Sequence, residues 1–403
     1  MKYRTSLSRA GSFRPFFLAC ATACIVGGIA AGQAHAQLML VGIDNKFAAP
    51  GGKRQALAPG RDSVLLFDLK DPSKPALIGQ LPLENSIVGP PTNLAITPDR
   101  KLALVANAMH SKPAADGVGF VAVPAEEVAV LDLTSNPISV IGLVKVDAQP
   151  SGLAIDRSGK FALVASRAAK SITRLSIEGK QVAVTDTLPL ADTVTAVAIT
   201  PDGRHALATK FLAHKVAQLS ISPDGKLTDD KNDLPVGQNP WNVAITPDGT
   251  RAIVVSLGGD GASDGNADSV TIIDLASAPP RVVQHVTVGD APEGLAISPR
   301  GDRAVVTLLQ GSYDAPAGAW FANPTGAAVM LKLDGNGISV ASKQKVGSLP
   351  ESAGFSDDGR YIYVGNFADS SLSILSVDAD GILTARGEIA LPGPPASLRV
   401  LGQ

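Results

Sequence analysis

Residues 91–107 read Pro-Thr-Asn-Leu-Ala-Ile-Thr-Pro-Asp-Arg-Lys-Leu-Ala-Leu-Val-Ala-Asn, and this stretch returns along the chain with small changes. Full copies begin again at Pro150, Val194, Pro240, Pro292 and Pro350, and a shortened copy begins at Pro395. The position of Leu94 recurs at intervals of 44 to 59 residues. Within each copy a short apolar run, a tight turn of the Pro-Asp-Gly type and a second apolar run predict two antiparallel strands. The sequence therefore contains one structural unit repeated seven times.

Each interval also has room for two further strands, with alternating patterns such as residues 269–275 and 282–288. A lone four-stranded blade cannot cover both of its faces, whereas blades packed in a ring can. The last copy stops after its first strand, and residues 38–43, 62–69 and 76–83 match the three missing strands. We therefore predict an all-β fold, a seven-bladed β-propeller of four-stranded antiparallel blades, whose last blade combines N-terminal strands with one C-terminal strand.

The first 36 residues have the pattern of a secretory signal peptide. Four bases precede an apolar run from Phe16 to Ala31, and Ala34-His35-Ala36 supplies small residues for cleavage. A membrane anchor is the alternative, but this run is shorter than the ~20 residues that a spanning helix needs. Because Cys20 and Cys24 lie inside the signal, the mature chain has no thiol. We predict a periplasmic or secreted protein without a membrane anchor after cleavage.

Composition narrows the class of protein. The 403 residues are 45% hydrophobic and 18% charged, which excludes a disordered chain. The net charge of -2 gives no indication of nucleic-acid binding. We expect residues 37–403 to form a single propeller domain that acts as a monomer.

The repeats resemble a known family, the YVTN-repeat propellers, which include lactonase-like members and secreted binding proteins. Tyr363-Val-Gly-Asn366, Leu104-Val-Ala-Asn107 and the Pro-Asp-Gly turns at Pro201 and Pro247 carry the resemblance, which covers essentially the whole mature chain. It implies the propeller fold. No group of residues matches a lactonase active site one by one, so the resemblance assigns no catalytic residue.

The strand order predicts two unequal faces of the ring. One, which we call the plain face, carries the short Pro-Asp-Gly turns. The other, the elaborated face, carries the loops between second and third strands and between blades. Four of its loops are long: 44–63, 108–127, 257–269 and 309–327. Rigid scaffolds usually place function on such loops, so we predict the functional site there.

Aromatic and basic residues concentrate on the elaborated face. Trp241, Trp320 and Tyr313 are candidates for binding a ring, a sugar or a partner protein. Small hydrophobic clusters that stabilise the loops explain the same aromatics. A basic sector that includes Lys46, Arg167 and Lys210 could attract a carboxylate, although ordinary solvated surface is equally consistent with it.

The residue just after the proline of each repeat should lie at the mouth of the central channel, and this position contains candidate catalytic groups. Glu293 and Glu351 occupy this position in neighbouring units, where they could act as general acid and base or hold a hard cation, with Asn93 and Asn242 as neutral ligands. The simpler interpretation is that these polar residues line a water-filled channel. His110, His214 and Arg167 on the same face are further candidates for proton transfer.

No cofactor is indicated by the sequence. The loop Asp260–Asp268 has a calcium-like Asp-x-Asn-x-Asp spacing at Asp264, Asn266 and Asp268, but Ser269 and Leu275 stand where an EF-hand needs glycine and glutamate. A divalent cation is thus compatible with the sequence without being predicted.

Two functions remain open at this point. The first is a binding or accessory protein that recognises a small ligand or a periplasmic protein through the elaborated face. The alternative is a lactonase-like hydrolase or isomerase of lactones or sugar acids, with Glu293 and Glu351 at the channel mouth.

Overall fold

The computed structural model describes residues 37–401, apart from 49–50, 52, 54, 86–88, 260 and 336. The predicted signal peptide and its two cysteines therefore lie outside the described residues, as do Arg54 and Asp260. All regular structure in the described part is β-strand. No helix long and apolar enough to cross a bilayer occurs there.

The first strands of the chain are β1 (Leu38–Ile43), β2 (Phe47–Ala48), β3 (Gln55–Ala56), β4 (Ser63–Asp68) and β5 (Ala76–Pro82). Blade 1 follows with β6 (Leu94–Ile96), β7 (Leu102–Pro113), β8 (Phe120–Asp132) and β9 (Ser139–Lys145). Blade 2 consists of β10 (Pro150–Ile155), β11 (Phe161–Ser166), β12 (Ser171–Glu178) and β13 (Gln181–Pro189). Blade 3 consists of β14 (Val194–Ile199), β15 (His205–Lys210), β16 (Lys215–Ile221) and an outer strand in two pieces, β17 (Leu227–Asp229) and β18 (Leu234–Pro235).

The remaining blades repeat this order. Blade 4 consists of β19 (Pro240–Ile245), β20 (Arg251–Ser256), β21 (Asp268–Asp274) and β22 (Arg281–Gly289). Blade 5 consists of β23 (Pro292–Ile297), β24 (Arg303–Leu308), β25 (Ala327–Asp334) and β26 (Gly337–Lys345). Blade 6 consists of β27 (Pro350–Phe355), β28 (Tyr361–Asn366), β29 (Ser371–Val377) and β30 (Leu383–Ala390). The last strand is β31 (Pro395–Val400).

Blade 7 closes the ring as the sequence predicts. Its strand order is β31-β1-β4-β5, so one C-terminal strand completes a sheet begun at the N-terminus. Met39 pairs with Val400 and Gly42 with Ser397 in an antiparallel register. The predicted seven-bladed propeller of four-stranded antiparallel blades is confirmed.

The hydrophobic core lies between neighbouring blades. Leu163 and Ala165 of blade 2 pack in one cluster with Ala206 and Ala208 of blade 3. The remaining pairs of neighbouring blades bury their facing sheets in a similar way. Outer strands largely alternate half-buried and exposed positions because only one of their faces is covered. Packing between blades therefore supplies the cover that a single blade lacks.

The turns on the plain face share one hydrogen-bonding pattern. The hydroxyl of Thr200 donates to Asp202 at 2.6 Å, and Thr246 and Asp248 repeat the contact at the same distance. Gly203 has a φ of 70°, the left-handed region that glycine adopts without strain. The side chains thus fix the short turns that the Pro-Asp-Gly spacing predicts.

Two of the predicted long loops contain strands. Residues 108–127, predicted as a loop, are mostly a β-ribbon, since β7 and β8 continue past the blade to the pair Pro113–Phe120. The prediction was wrong because the apolar run Phe-Val-Ala-Val that begins at Phe120 extends the ladder, and the turn is only the segment around Gly117 and Gly119. Within residues 44–63, the strands β2 and β3 form a small hairpin.

Candidate functional site

Irregular inner strands position the side chains that follow each repeat's proline. The register of β10, β19 and β27 shifts just after the proline, at Ser151, Trp241 and Glu351, so each of these strands has one extra residue relative to its neighbour. A bulge of this kind re-aims the extra side chain and is common beside functional sites. In β23 the break spans Glu293 and Gly294. The backbones of blades 5 and 6 are close there, since a Cβ on Gly294 would lie 2.7 Å from the carbonyl oxygen of Glu351.

Glu293 belongs to a buried aromatic cluster. Its side chain is 8% exposed, and its Oε1 accepts a hydrogen bond from Trp241 Nε1 at 3.1 Å. Trp241 is 5% exposed, and its ring centroid lies 5.6 Å from that of Phe211. The guanidinium carbon of Arg167 stands 5.2 Å from the Trp241 ring and 5.9 Å from Phe211. A cation over two aromatic faces is stabilised by their quadrupoles, so Arg167, Trp241 and Glu293 form one packed unit.

The other predicted ligand-binding residues have surroundings of their own. Asn242 is buried in β19 and Asn93 is buried just before β6, and Asn93 Nδ2 donates to the carbonyl of Ala106 at 3.0 Å. Tyr313 packs with Leu309, Leu349 and Phe367 in a small hydrophobic cluster. Trp320, by contrast, is 80% exposed and contacts Phe321 edge to face at 5.7 Å between centroids.

His110 lies between two glutamates. Its Nδ1 is 2.9 Å from Glu84 Oε2 and its Nε2 is 3.2 Å from Glu127 Oε1. The amide of Asn107 donates to Glu127 Oε1 at 2.9 Å, which fixes that carboxylate. The imidazole is 28% exposed, so solvent reaches it. We call Glu84, His110 and Glu127 the histidine–glutamate cluster.

His214 has a different environment. It adopts a left-handed backbone with a φ of 57°, and its Nδ1 accepts the backbone N–H of Asn239 at 3.0 Å. The ring therefore holds the start of the next blade in place, with its proton on Nε2.

Two lysines of the predicted basic sector are neutralised by ion pairs with aspartates. Lys46 is fully buried, forms ion pairs with Asp62 and with Asp44 at 3.5 Å, and donates to the carbonyl of Asn85 at 2.8 Å. Lys210 pairs with Asp233 at 2.9 Å. The interpretation of Lys46 as part of a charged surface was wrong, because the β2–β3 hairpin folds this lysine inward onto the two aspartates.

The comparisons with known proteins indicate the fold. No protein-family model matches the chain, and neither does any curated protein. Among solved structures, a Bacteroides fragilis protein provisionally assigned as a 6-phosphogluconolactonase is 18% identical, with a TM-score of 0.69, over 92% of this chain and 99% of that chain. The periplasmic gluconolactonase of Pseudomonas aeruginosa is 18% identical, with a TM-score of 0.63, over 91% of this chain and 99% of that one.

A third similar structure is named for a different reaction. Hydrazine synthase of Kuenenia stuttgartiensis is 18% identical, with a TM-score of 0.60, over 78% of this chain and 90% of that chain. The chain thus shares the seven-bladed propeller fold of proteins named as gluconolactonases, and the same fold also occurs with other chemistry. Membership of the YVTN-repeat family stays a prediction.

Acidic side chains gather where blades 4 and 5 meet on the elaborated face. Carboxylate oxygens of Asp264, Asp268 and Asp290 all lie within 4.8 Å of one another, a spacing that could ligate one hard cation. The calcium-like spacing in the sequence includes the first two but not Asp290, which comes from the loop before β23. An acidic cluster by itself does not establish a cation site.

Asp268→Asn should stabilise the protein at neutral pH. Burial, together with the neighbouring Asp264 and Asp290, raises the pKa of Asp268 from 3.8 to about 6. The native state therefore binds more protons than the unfolded state between these values, and stability falls as the pH rises from about 4 to 6. After allowance for solvent screening, we expect a gain of about 1 kcal/mol at pH 7 and little change at pH 4, measured by urea unfolding. An equal gain at both pH values would contradict a charge effect.

Sequence reasoning missed both glutamates that contact His110. Glu127 pairs in register with Asn107 in the β7–β8 ribbon, so recognition of that ribbon would have placed it beside His110. Glu84 follows the outer strand of another blade, and no local pattern links it to His110.

Proposed function

We propose that this protein opens the ring of a lactone, with the histidine–glutamate cluster as its proton-transfer groups. The observation that carries the proposal is the imidazole of His110 with a glutamate oxygen at 2.9 Å from one nitrogen and 3.2 Å from the other. Export to the periplasm, which residues 1–36 predict, is part of the proposal. The fold shared with gluconolactonase-named propellers supports it.

The cluster has the equipment for acid and base catalysis. A histidine can donate or accept a proton at its ring nitrogens, and each ring nitrogen of His110 has a carboxylate oxygen within hydrogen-bond distance. The cluster can thus hold a proton on His110 next to a carboxylate that accepts one. Both roles are required when a water attacks an ester and an alkoxide leaves.

The proposed hydrolysis needs no reactant other than the lactone and water. Glu84 removes a proton from water as the water oxygen bonds to the lactone carbonyl carbon. The bond between that carbon and the ring oxygen breaks, and His110 gives its proton to the departing oxygen. Glu84 then returns the captured proton to His110, and the product is one hydroxy acid.

Glu293 and Glu351, the pair that the sequence favours for this reaction, have a smaller part in the proposal. Glu293 is nearly buried and accepts the indole N–H of Trp241, which assigns it to positioning the Arg167–Trp241 unit. We therefore expect Glu293→Gln to reduce turnover much less than a change of His110, because glutamine still offers an oxygen to the indole.

His110→Gln should lower the rate of lactone hydrolysis by about 100-fold or more, since it removes the general acid. The measurement is the release of acid from glucono-δ-lactone and its 6-phosphate, above the spontaneous rate. His205→Gln is the matched control, because His205 is exposed at the start of β15, next to a turn of the plain face. Wild-type protein without turnover, or a His110→Gln variant as fast as the control, would contradict the proposal.

Binding without turnover is the second candidate function. The exposed Trp320 favours it, since a large aromatic side chain on the elaborated face can anchor a sugar or a periplasmic protein partner. In that case the wild-type protein would bind gluconate or a partner without hydrolysing the lactones, and Trp320→Ala would weaken the binding.

A further inference from the structure

One position of the inner strands differs in blade 7 from all other blades. The residue after the Leu94 position is small in six blades, where it is Ala95, Ala154, Ala198, Ala244, Ala296 or Gly354. In blade 7 the same position holds Arg399. A ring of small side chains leaves room in the centre of the propeller, and a single long cation reaches into it.

The central channel contains a cavity of about 370 Å³ beside this ring. It opens on the plain face among the turns at Pro98, Pro201, Pro247 and Pro299. Its wall is largely aliphatic, with Leu153, Val197, Val243 and Leu295 among its residues, and it also contains Arg399. A largely apolar cavity with a few fixed polar groups is the usual form of a small-molecule site.

Arg399 has no counter-ion among the residues that the structure describes. Its Nε donates to the carbonyl of Leu94 at 3.0 Å, which fixes the side chain against blade 1. Neither terminal nitrogen forms a hydrogen bond or an ion pair within the described chain. Burial lowers the pKa of Arg399 to about 10.

The acid among the described residues that line the cavity is already engaged. Asp156 lines the cavity, but its carboxylate accepts the backbone N–H groups of Ser158, Lys160 and Phe161, each at 2.8 Å. These bonds hold Asp156 in its own turn. Arg399 is half-buried at the wall of this cavity. Charges withdrawn from bulk water are normally paired, so its guanidinium lacks the partner that its environment favours.

We propose that the channel cavity binds a small organic acid whose carboxylate pairs with Arg399 and whose apolar body lies against the aliphatic wall. The planar guanidinium matches a carboxylate in a two-pronged hydrogen bond. Arg157 lies at the opening, where its Nη2 donates to the carbonyl of Pro247 at 3.1 Å, and its positive charge favours the entry of anions. This site is separate from the histidine–glutamate cluster and does not depend on the proposed lactonase activity.

The first test needs no variant. Isothermal titration of the wild-type protein with benzoate should show binding, whereas benzamide, which has the same ring and no charge, should bind at least about tenfold more weakly. Equal affinity for the two compounds, or no detectable binding of benzoate, would overturn the proposal.

Variants then locate the site. Arg399→Gln should weaken benzoate binding about tenfold or more, and Arg399→Lys should keep only part of the affinity because an ammonium lacks the fork. Arg300→Gln is the matched control, since Arg300 is an exposed arginine of a plain-face turn that pairs with Asp302. Circular dichroism checks that each variant is folded.

Crystals soaked with 4-bromobenzoate provide the position. The bromine signal should lie in the channel, with the carboxylate at Arg399. A bromine found only on the elaborated face, or benzoate affinity unchanged in Arg399→Gln, would refute the assignment. Lactone turnover in Arg399→Gln should equal that of the wild-type protein, which keeps this result independent of the proposed enzyme.

Discussion

A chain that ends at Leu391 should not fold cooperatively. The deletion removes β31, the inner strand of blade 7, and leaves β1 as an open sheet edge. It also removes Leu398 and Val400, which are 3% and 0% exposed, and burial of each such side chain contributes about 1.5–3 kcal/mol. These losses, with those of the β31 backbone pairs, approach the whole net stability of an ordinary domain, about 5–15 kcal/mol. Circular dichroism during thermal unfolding should show either a broad transition at low temperature or no transition.

A second chain, in which β31 is moved to the N-terminus, tests whether the missing strand itself causes the loss of stability. Leu401 N–H donates to the carbonyl of Leu38 at 2.9 Å, so the end of β31 lies beside the start of β1. Residues 392–401, joined by a short turn ahead of residue 37, should therefore restore a sharp transition. If the truncated chain unfolds as sharply and at the same temperature as the wild-type protein, closure of blade 7 does not stabilise the ring.

Lys46→Met should destabilise the protein by about 3–5 kcal/mol, because removal of one partner leaves buried charges uncompensated. Lys46 Nζ is fully buried and bonded to Asp44, Asp62 and the carbonyl of Asn85. Methionine matches the length of the stem, so the lost charge dominates the effect. Equilibrium unfolding in urea at pH 8 measures the change.

The pH dependence of the Lys46→Met variant identifies the cause. Burial already raises the pKa of Asp44 in the wild-type protein to about 7, with Lys46 opposing the shift. The native state then binds protons more tightly than the unfolded state between about pH 4 and 7, so stability rises as the pH falls through this range. The cost of Lys46→Met should be largest at pH 8 and smaller at pH 5. The triple variant with Asp44→Asn and Asp62→Asn should recover most of the loss, and a cost independent of pH and of these changes would indicate a packing effect instead.

The structure brings some of the predicted site residues together and places others apart. Arg167 and Trp241 do lie together, and Trp241 reaches Glu293 through its indole N–H. His110 instead contacts two glutamates that the sequence did not suggest, and Lys46 is buried rather than on the surface. Lys46 and Glu84 lie in loops without a repeating pattern, and His110 and Glu127 lie in the long β7–β8 ribbon, so the pattern of the repeat could not predict these contacts.

The repeats alone determined the number of blades, their strand order and the closure of blade 7, because an inner strand and its turn form a local pattern that recurs seven times. Only the tertiary structure decided which side chains meet. Glu84 is 26 residues from His110, and Arg399 is 305 residues from the carbonyl of Leu94 that it contacts. Such contacts depend on how neighbouring blades and their unique loops are placed around the ring, and that placement is a property of the closed propeller rather than of any single repeat.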